Sequence, residues 1–272
     1  MIWICATCGV ESDAASHPPA LCGLCEDDRQ YVPADGQVWT TIAQLASAGQ
    51  HITTHEVEPG LLALRTVPRV GIGQQGMVAR TPHGTVLFDP PGYIDDTAVA
   101  QVRAFGTPLA IAVSHPHMYG VMSLWSEALD VPVLVPSADE WWPRRRDRIE
   151  WYDDHRTIAP GLTLHRVGGH FAGSAVLEWM HGAGGYGVLL AGDAIFPNPD
   201  HSTVSFLRSY PNRLPLSGAV ARRIADTVSR LHFDRLYNNF GHVVLRHAKD
   251  VVLRSAQRHA AWCDGEHDDL TW

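Results

Sequence analysis

Five residues with metal-binding side chains each follow a short apolar run: His115 and His117 after PLAIAVS, His170 after LTLHRVGG, Asp193 after GVLLAG and His242 after RLYNNFG. Strands that deliver such groups to one sheet edge would surround a single divalent ion with imidazole nitrogens and a carboxylate. On an extended segment, side chains two positions apart share a face, so His115 and His117 can reach one ion together. Three neutral imidazoles with an open position make a catalytic zinc arrangement, which lowers the pKa of a bound water to about 7 and readies it for attack on a carbonyl. Asp193 either completes the ligand set or accepts a hydrogen bond from that water, which makes it the general-base candidate. The chain reads as a metalloenzyme.

A second constellation lies in the first thirty residues. Cys5 and Cys8 form one CxxC pair, Cys22 and Cys25 a second, and Cys263 stands apart. Each CxxC turn presents two thiolates on one side of a tight loop, so two loops together supply a tetrahedral sulfur site, with Gly9 and Gly23 easing the turns. Two disulfides are the alternative, and nothing else in the sequence points to an oxidising compartment. The site suits structural zinc or a single rubredoxin-type iron; zinc is favoured because so short a segment has little core and draws its folding free energy from a closed metal site.

Other groups invite roles near the histidines. Tyr119 has a reference pKa of about 10 and cannot act as a base at neutral pH, but its hydroxyl could donate to a developing oxyanion or leaving group. His242 could donate a hydrogen bond to a group behind the ligands, contact substrate, or be a leftover without a role, and Arg208 and Tyr210 follow the Asp193 motif closely enough to line a pocket. The segment SADEWWPRRRDRIEWYDDHR forms either a flap, presenting Trp141, Trp142, Trp151 and Arg144 to Arg146 to an anionic, partly apolar substrate, or a helix with a solvated basic face. His17, His155, His181, His247 and His267 sit in polar surroundings and receive no role.

The elements that must position these groups can be read from pattern. GLLALRTV, GMVARTP and GTVLFDPPG have the alternation of antiparallel strands, with a hairpin turn near His83 and Gly84. Later strands are expected at 109–114, 131–135, 162–167, 174–180, 188–191 and 235–238, with helices at 40–48, at LSGAVARRIADTVSRL and at 248–262. In the second helix Val220, Ile224, Val228 and Leu231 share one face. Strands first and interleaved helices later point to a layered α/β domain. The 272 residues, 45% of them hydrophobic, suffice for one large core. Residues 1–36 form a metal knuckle and linker, and 37–272 the main domain.

In order and spacing, the FDPPG turn at Asp89, the HxH, the GGH, the GD and the final GH resemble the motif series of the metallo-β-lactamase superfamily, over Gly60 to His259. The resemblance implies an αββα sandwich with a metal site at one edge between two sheets. With the N-terminal zinc-ribbon-like unit, the chain is also similar to a bacterial subgroup known only as metal-dependent hydrolases of this fold. It further implies that His115, His117 and His170 hold the first metal, with Asp193 as fourth or bridging ligand. The HxHxDH pattern would require Asp at Tyr119 and His at Gly120, where this chain has HPHMYG. Asp193 and His242 alone are too few for a second tight site, so the expected centre is mononuclear.

Three functions follow from these readings. The first is a hydrolase acting on an ester, thioester, lactone or amide, with zinc at both sites and about two ions per chain. The second is a mononuclear iron oxygenase, with the knuckle as a rubredoxin-like electron carrier. The third is a non-catalytic binding protein. The net charge of −8, from 21 Lys+Arg against 29 Asp+Glu, disfavours nucleic acid and acidic membranes as partners, leaving a small-molecule substrate. No run of about twenty apolar residues and no secretory leader pattern appears, so the expected location is cytoplasmic. Oligomeric state is left open.

Overall fold

Alternating apolar residues along the early strands, and near-continuous ones along the later, produce two sheets that face one another. The computed structural model describes all 272 residues. Its strands and helices run β1 (Ile2–Cys5), β2 (Glu11–Ala14), β3 (Trp39–Thr40), α1 (Ile42–Ser47), β4 (His51–Glu58), β5 (Leu61–Val67), β6 (Gly76–Thr81), β7 (Gly84–Phe88), α2 (Asp96–Phe105), β8 (Pro108–Ala112), α3 (Met122–Leu129) and β9 (Val133–Pro136). They continue with β10 (Ile149–Tyr152), β11 (His155–Ala159), β12 (Leu162–Arg166), β13 (Ala175–Trp179) and β14 (Val188–Leu190). Two short ribbons follow, β15 (Phe196–Pro197) with β16 (Val204–Ser205) and β17 (Leu207–Ser209) with β18 (Leu214–Pro215), then α4 (Gly218–Ser229), β19 (Arg235–Tyr237), β20 (Val243–Val244) and α5 (Ala248–Cys263).

The first large sheet has the order β10-β9-β8-β7-β6-β5-β4 and the second β11-β12-β13-β14-β19-β20. β4 to β7 pair antiparallel, whereas β7, β8, β9 and β10 run parallel, with α2 and α3 in the first two crossovers and a largely irregular segment in the third. Three hydrophobic clusters separate four layers. Val78, Leu87, Ile111 and Val133 pack outward against Ala98 and Val102 of α2 and Trp125 of α3. Ala79, Val86, Phe88 and Ala112 of the first sheet meet Leu164, Leu177 and Leu190 of the second. Val176, Leu189 and Leu236 pack on Ile224 and Val228 of α4 and Val252 of α5. The layering is helix, sheet, sheet, helix, the expected αββα sandwich.

The cysteine unit is joined to this sandwich. β1 pairs with β2 and also with β3, which lies beyond residue 36. Cys5, Cys8, Cys22 and Cys25 share the outer hydrophobic cluster with α2 and α3. The buried Glu11 accepts a hydrogen bond from the Ser123 backbone N–H at 2.7 Å, near the start of α3.

The Trp- and Arg-rich segment forms no helix of the kind considered from sequence. Pro143 interrupts it, and IEWY then extends as β10, adding an edge to the first sheet beside β9. Arg145 turns to Glu11 and Glu127, and Arg144 lies beside Gly23 of the cysteine unit. Trp141 is exposed, while Trp142 turns inward onto Phe171, with ring centroids 5.3 Å apart.

Candidate metal centre and pocket

Parallel strand β8 ends at the sheet edge, and the chain there turns through Ser114 into a 3-10 turn carrying His115 and His117. From the opposite sheet, the loop after β12 brings His170 and the loop after β14 brings Asp193. The two sheets meet at this edge through a backbone bond, Ala175 N–H to Ser114 O at 2.8 Å. Gly192 makes the approach possible: its φ is +51°, and a Cβ there would stand 2.4 Å from Ser114 Oγ.

His115, His117 and His170 are each at most 3% exposed, and Asp193 is 5% exposed. His170 Nε2 stands 3.4 Å from His117 Nδ1, and Asp193 Oδ2 stands 3.5 Å from His115 Nε2 and 4.0 Å from His170 Nε2. Metal–nitrogen bonds of 2.0–2.1 Å in a tetrahedron place donors about 3.3 Å apart; the three histidines offer ring nitrogens within 4.8 Å of one another, and Asp193 stands beside two of them. The outward ring nitrogens are anchored: His115 Nδ1 lies 2.9 Å from Ser114 Oγ, and His170 Nδ1 donates to Leu207 O at 3.0 Å. His115 Nε2 and Asp193 Oδ1 are buried without a hydrogen-bond partner. Burial, reinforced by the neighbouring histidines, pushes His170 down to about 4 and His117 well below the usual range, so both are neutral at physiological pH. Buried imidazoles whose nitrogens gather within 4.8 Å of one another suit metal ligation.

The four cysteine sulfurs also lie within 4.8 Å of one another. The Cys5–Cys25 and Cys8–Cys22 sulfurs are 3.6 and 3.8 Å apart, far beyond a disulfide bond and close to the roughly 3.8 Å spacing of a tetrahedral zinc–thiolate site. Contacts among the four sulfurs pull the Cys5 and Cys22 thiols below their usual range and push those of Cys8 and Cys25 above it, so the cluster shares its protons as a unit. Gln37 Nε2 donates to Cys5 Sγ at 3.2 Å.

Tyr119 is buried, with its hydroxyl unpartnered in the neighbourhood of Asp139 and Tyr152. It does not line the pocket at the histidines. Gly120 has φ +51°, and a Cβ there would lie 2.3 Å from Pro90 O and 2.6 Å from Pro91 O. A histidine at this position has no room, which gives a structural reason for the absence of a second ligand set. Asp89 is fully buried, accepts from the Ser114 N–H at 2.6 Å, and is pushed up to about 7 by that burial.

A cavity of about 240 Å³ opens at the metal centre, lined by His117, His170, Asp193 and Tyr210 among others. Tyr210 donates its hydroxyl to Asp193 O at 2.9 Å. Arg208 instead pairs with Asp28 at 2.9 Å, and His242 Nδ1 donates to Pro197 O at 3.1 Å outside the pocket lining. The wall also contains Phe196, Phe240, Arg29 and Gln30, none of which the sequence singled out. Arg29 and Gln30 sit in the polar run EDDRQ, whose composition reads as linker and gives no sign of burial. Arg29 Nη1 donates to His170 O at 3.2 Å, and its guanidinium carbon lies 3.7 Å from the Phe171 ring centroid.

Two sheets flanked by helices, with a histidine cluster at one edge, define a protein of the metallo-β-lactamase fold. The fold matches the DIM-1 metallo-β-lactamase (14% identity, TM-score 0.57, 76% of this chain and 98% of that one) and VMB-1 (15% identity, TM-score 0.55, with the same coverage). It also matches the metallo-β-lactamase SMB-1 in complex with mercaptoacetic acid (16% identity, TM-score 0.53, 79% of this chain and 97% of that one). At these identities the likeness extends to the fold. No family model matches the chain. It is 41% identical over 261 residues to the uncharacterized protein YmaE of Bacillus subtilis (strain 168), spanning 94% of this chain and 95% of that protein, and it belongs to the same family. No helix is long and apolar enough to cross a membrane.

Proposed function

We propose that this chain is a metal-dependent hydrolase with a mononuclear centre held by His115, His117, His170 and Asp193, acting on a small ester, thioester, lactone or amide. The observation that carries this reading is the convergence of three buried imidazoles, those of His117 and His170 neutral, with a carboxylate oxygen of Asp193 3.5 Å from His115 Nε2 and 4.0 Å from His170 Nε2. Zinc bound there supplies a Lewis acid for the substrate carbonyl and lowers the pKa of water to about 7.

The protein's own groups account for the remaining requirements. Asp193 Oδ2 faces the imidazoles, while Oδ1 has no partner and is free to accept a proton from an attacking water. Tyr210 pins the Asp193 backbone and so fixes the direction of that carboxylate. Phe196 and Phe240 exclude water from one side of the cavity and suit an apolar acyl group. The cysteine unit holds a structural zinc and supports the pocket.

Zinc-loaded protein should hydrolyse p-nitrophenyl or thioester substrates without oxygen, with His117→Ala and Asp193→Asn each lowering kcat/KM by at least a hundredfold. Iron in the histidine site, together with oxygen consumption during turnover, would overturn this reading in favour of an oxygenase.

A further inference from the structure

The segment that leaves the cysteine unit, Asp27 to Gln30, is locked into the pocket rim. Ser209 Oγ donates to Arg29 O at 3.0 Å, and Asn212 Nδ2 donates to Asp28 O at 2.9 Å. Arg29 is equally constrained: Nε and Nη2 donate to the two Asp27 carboxylate oxygens at 2.5 and 2.7 Å, and Nη1 donates to His170 O. A guanidinium has five N–H donors, so one on each Nη remains unused. Its charge is balanced by Asp27, so it offers the pocket directional donors with little net attraction for an anion.

Gln30 is the second anomaly. It is 5% exposed, its side-chain amide makes no hydrogen bond, and its Oε1 is buried without a partner. A buried amide left unpaired is costly, and an amide can present either acceptor or donor by a half-turn of its last torsion. Phe196, Phe240 and Ile72 also line the cavity. The pocket therefore has an apolar wall, a metal edge, and one polar end built wholly by the cysteine unit.

We infer that Arg29 and Gln30 are the specificity-determining residues of this pocket and recognise a neutral head group carrying both an acceptor and a donor, of which a primary carboxamide is the simplest. Arg29 donates to the head-group carbonyl and Gln30 accepts its N–H, while the apolar body lies on the aromatic wall. The inference rests on the reading that this cavity is the substrate site. It also gives the cysteine unit a part in recognition.

The test uses metal-loaded full-length protein and three probes of one chain length, hexanamide, 2-heptanone and hexanoate, titrated by NMR against wild type and Gln30→Leu. The ketone is nearly isosteric with the amide and lacks only the N–H donors. The ratio of ketone Kd to amide Kd should fall about tenfold in Gln30→Leu, with hexanoate weaker than hexanamide in the wild type. Should Gln30→Leu not fold, Gln30→Met carries the same expectation. An unchanged ratio, tighter binding of hexanoate, or no saturable binding of hexanamide to wild type would each overturn the assignment. Because binding is read here and turnover is not, failure of the hydrolase reading shows separately, as absent ester hydrolysis.

Discussion

His115 Nε2 and Asp193 Oδ2 belong to loops at the ends of different sheets, yet they stand 3.5 Å apart. Two parallel-strand ends, β8 beside β7 and β14 beside β19, deliver these loops to the same edge. The contact needs Gly192, since any side chain there would meet Ser114. Joining the two sheets at one point is how this fold turns ligands 78 residues apart in sequence into one donor set.

Metal analysis of the purified protein should give about two ions per chain, one for the cysteine cluster and one for the histidine cluster. His170→Ala should remove one and leave the other. Three tightly held ions would contradict the mononuclear centre.

Ser114 Oγ lies 2.9 Å from His115 Nδ1 and can accept its N–H in the tautomer that leaves Nε2 free for a metal. Ser114→Ala should weaken metal binding at the histidine site by about tenfold to a hundredfold, measured by competition with a chelator, without changing the global fold. Unaltered affinity would remove Ser114 from the site.

The Arg29 bond to His170 O links the cysteine unit to a ligand-bearing loop. Arg29→Met keeps most of the packing on Phe171 and loses the donors, so it should lower histidine-site affinity by about tenfold. The same chelator competition reads this, and equal affinities would show that the loop holds itself.

Tyr119→Asp with Gly120→His restores the missing family ligands on paper. The Cβ at Gly120 would meet Pro90 O at 2.3 Å, so even Gly120→Ala should cost on the order of 3 kcal/mol in denaturant unfolding. A stable double variant holding an additional ion would show that the backbone here can move aside.

Asp139 is 1% exposed, and burial raises its pKa from 3.8 to about 6. A raised folded-state pKa contributes stability below about pH 4 that is lost as pH rises through about 6. Asp139→Asn cannot ionise and keeps an acceptor for the Gly173 N–H, so its stability relative to wild type should increase between pH 4 and pH 8, by on the order of 3 kcal/mol. A pH-independent difference in unfolding free energy would rule out ionisation at this buried site as the cause.

Much of the site was legible because its residues follow recognisable strands. HPH, GGH and GD each follow an apolar run, but the paired histidines come together through a 3-10 turn over Pro116–Met118 and not through the alternation of an extended segment. The CxxC pairs were legible for a similar reason, since their chemistry is local to two tight turns. The strands from β5 to β9 and the helix α4 announced themselves through periodicity. β10 and β11 did not, because edge strands of four and five residues are too short to establish a period and their pattern also suits a helix or loop. The polar end of the pocket was hidden altogether. Arg29 and Gln30 lie in a run whose composition is that of a solvated linker, and their burial arises only when loops around residues 170 and 210 close over them. Sequence by itself determined which groups could bind metal and which strands would carry them, because those preferences are set by side-chain chemistry and local backbone geometry. Tertiary structure decided which groups meet, that Tyr119 is buried away from the pocket, and that the cysteine unit forms part of its wall, because such contacts depend on packing between segments far apart in the chain.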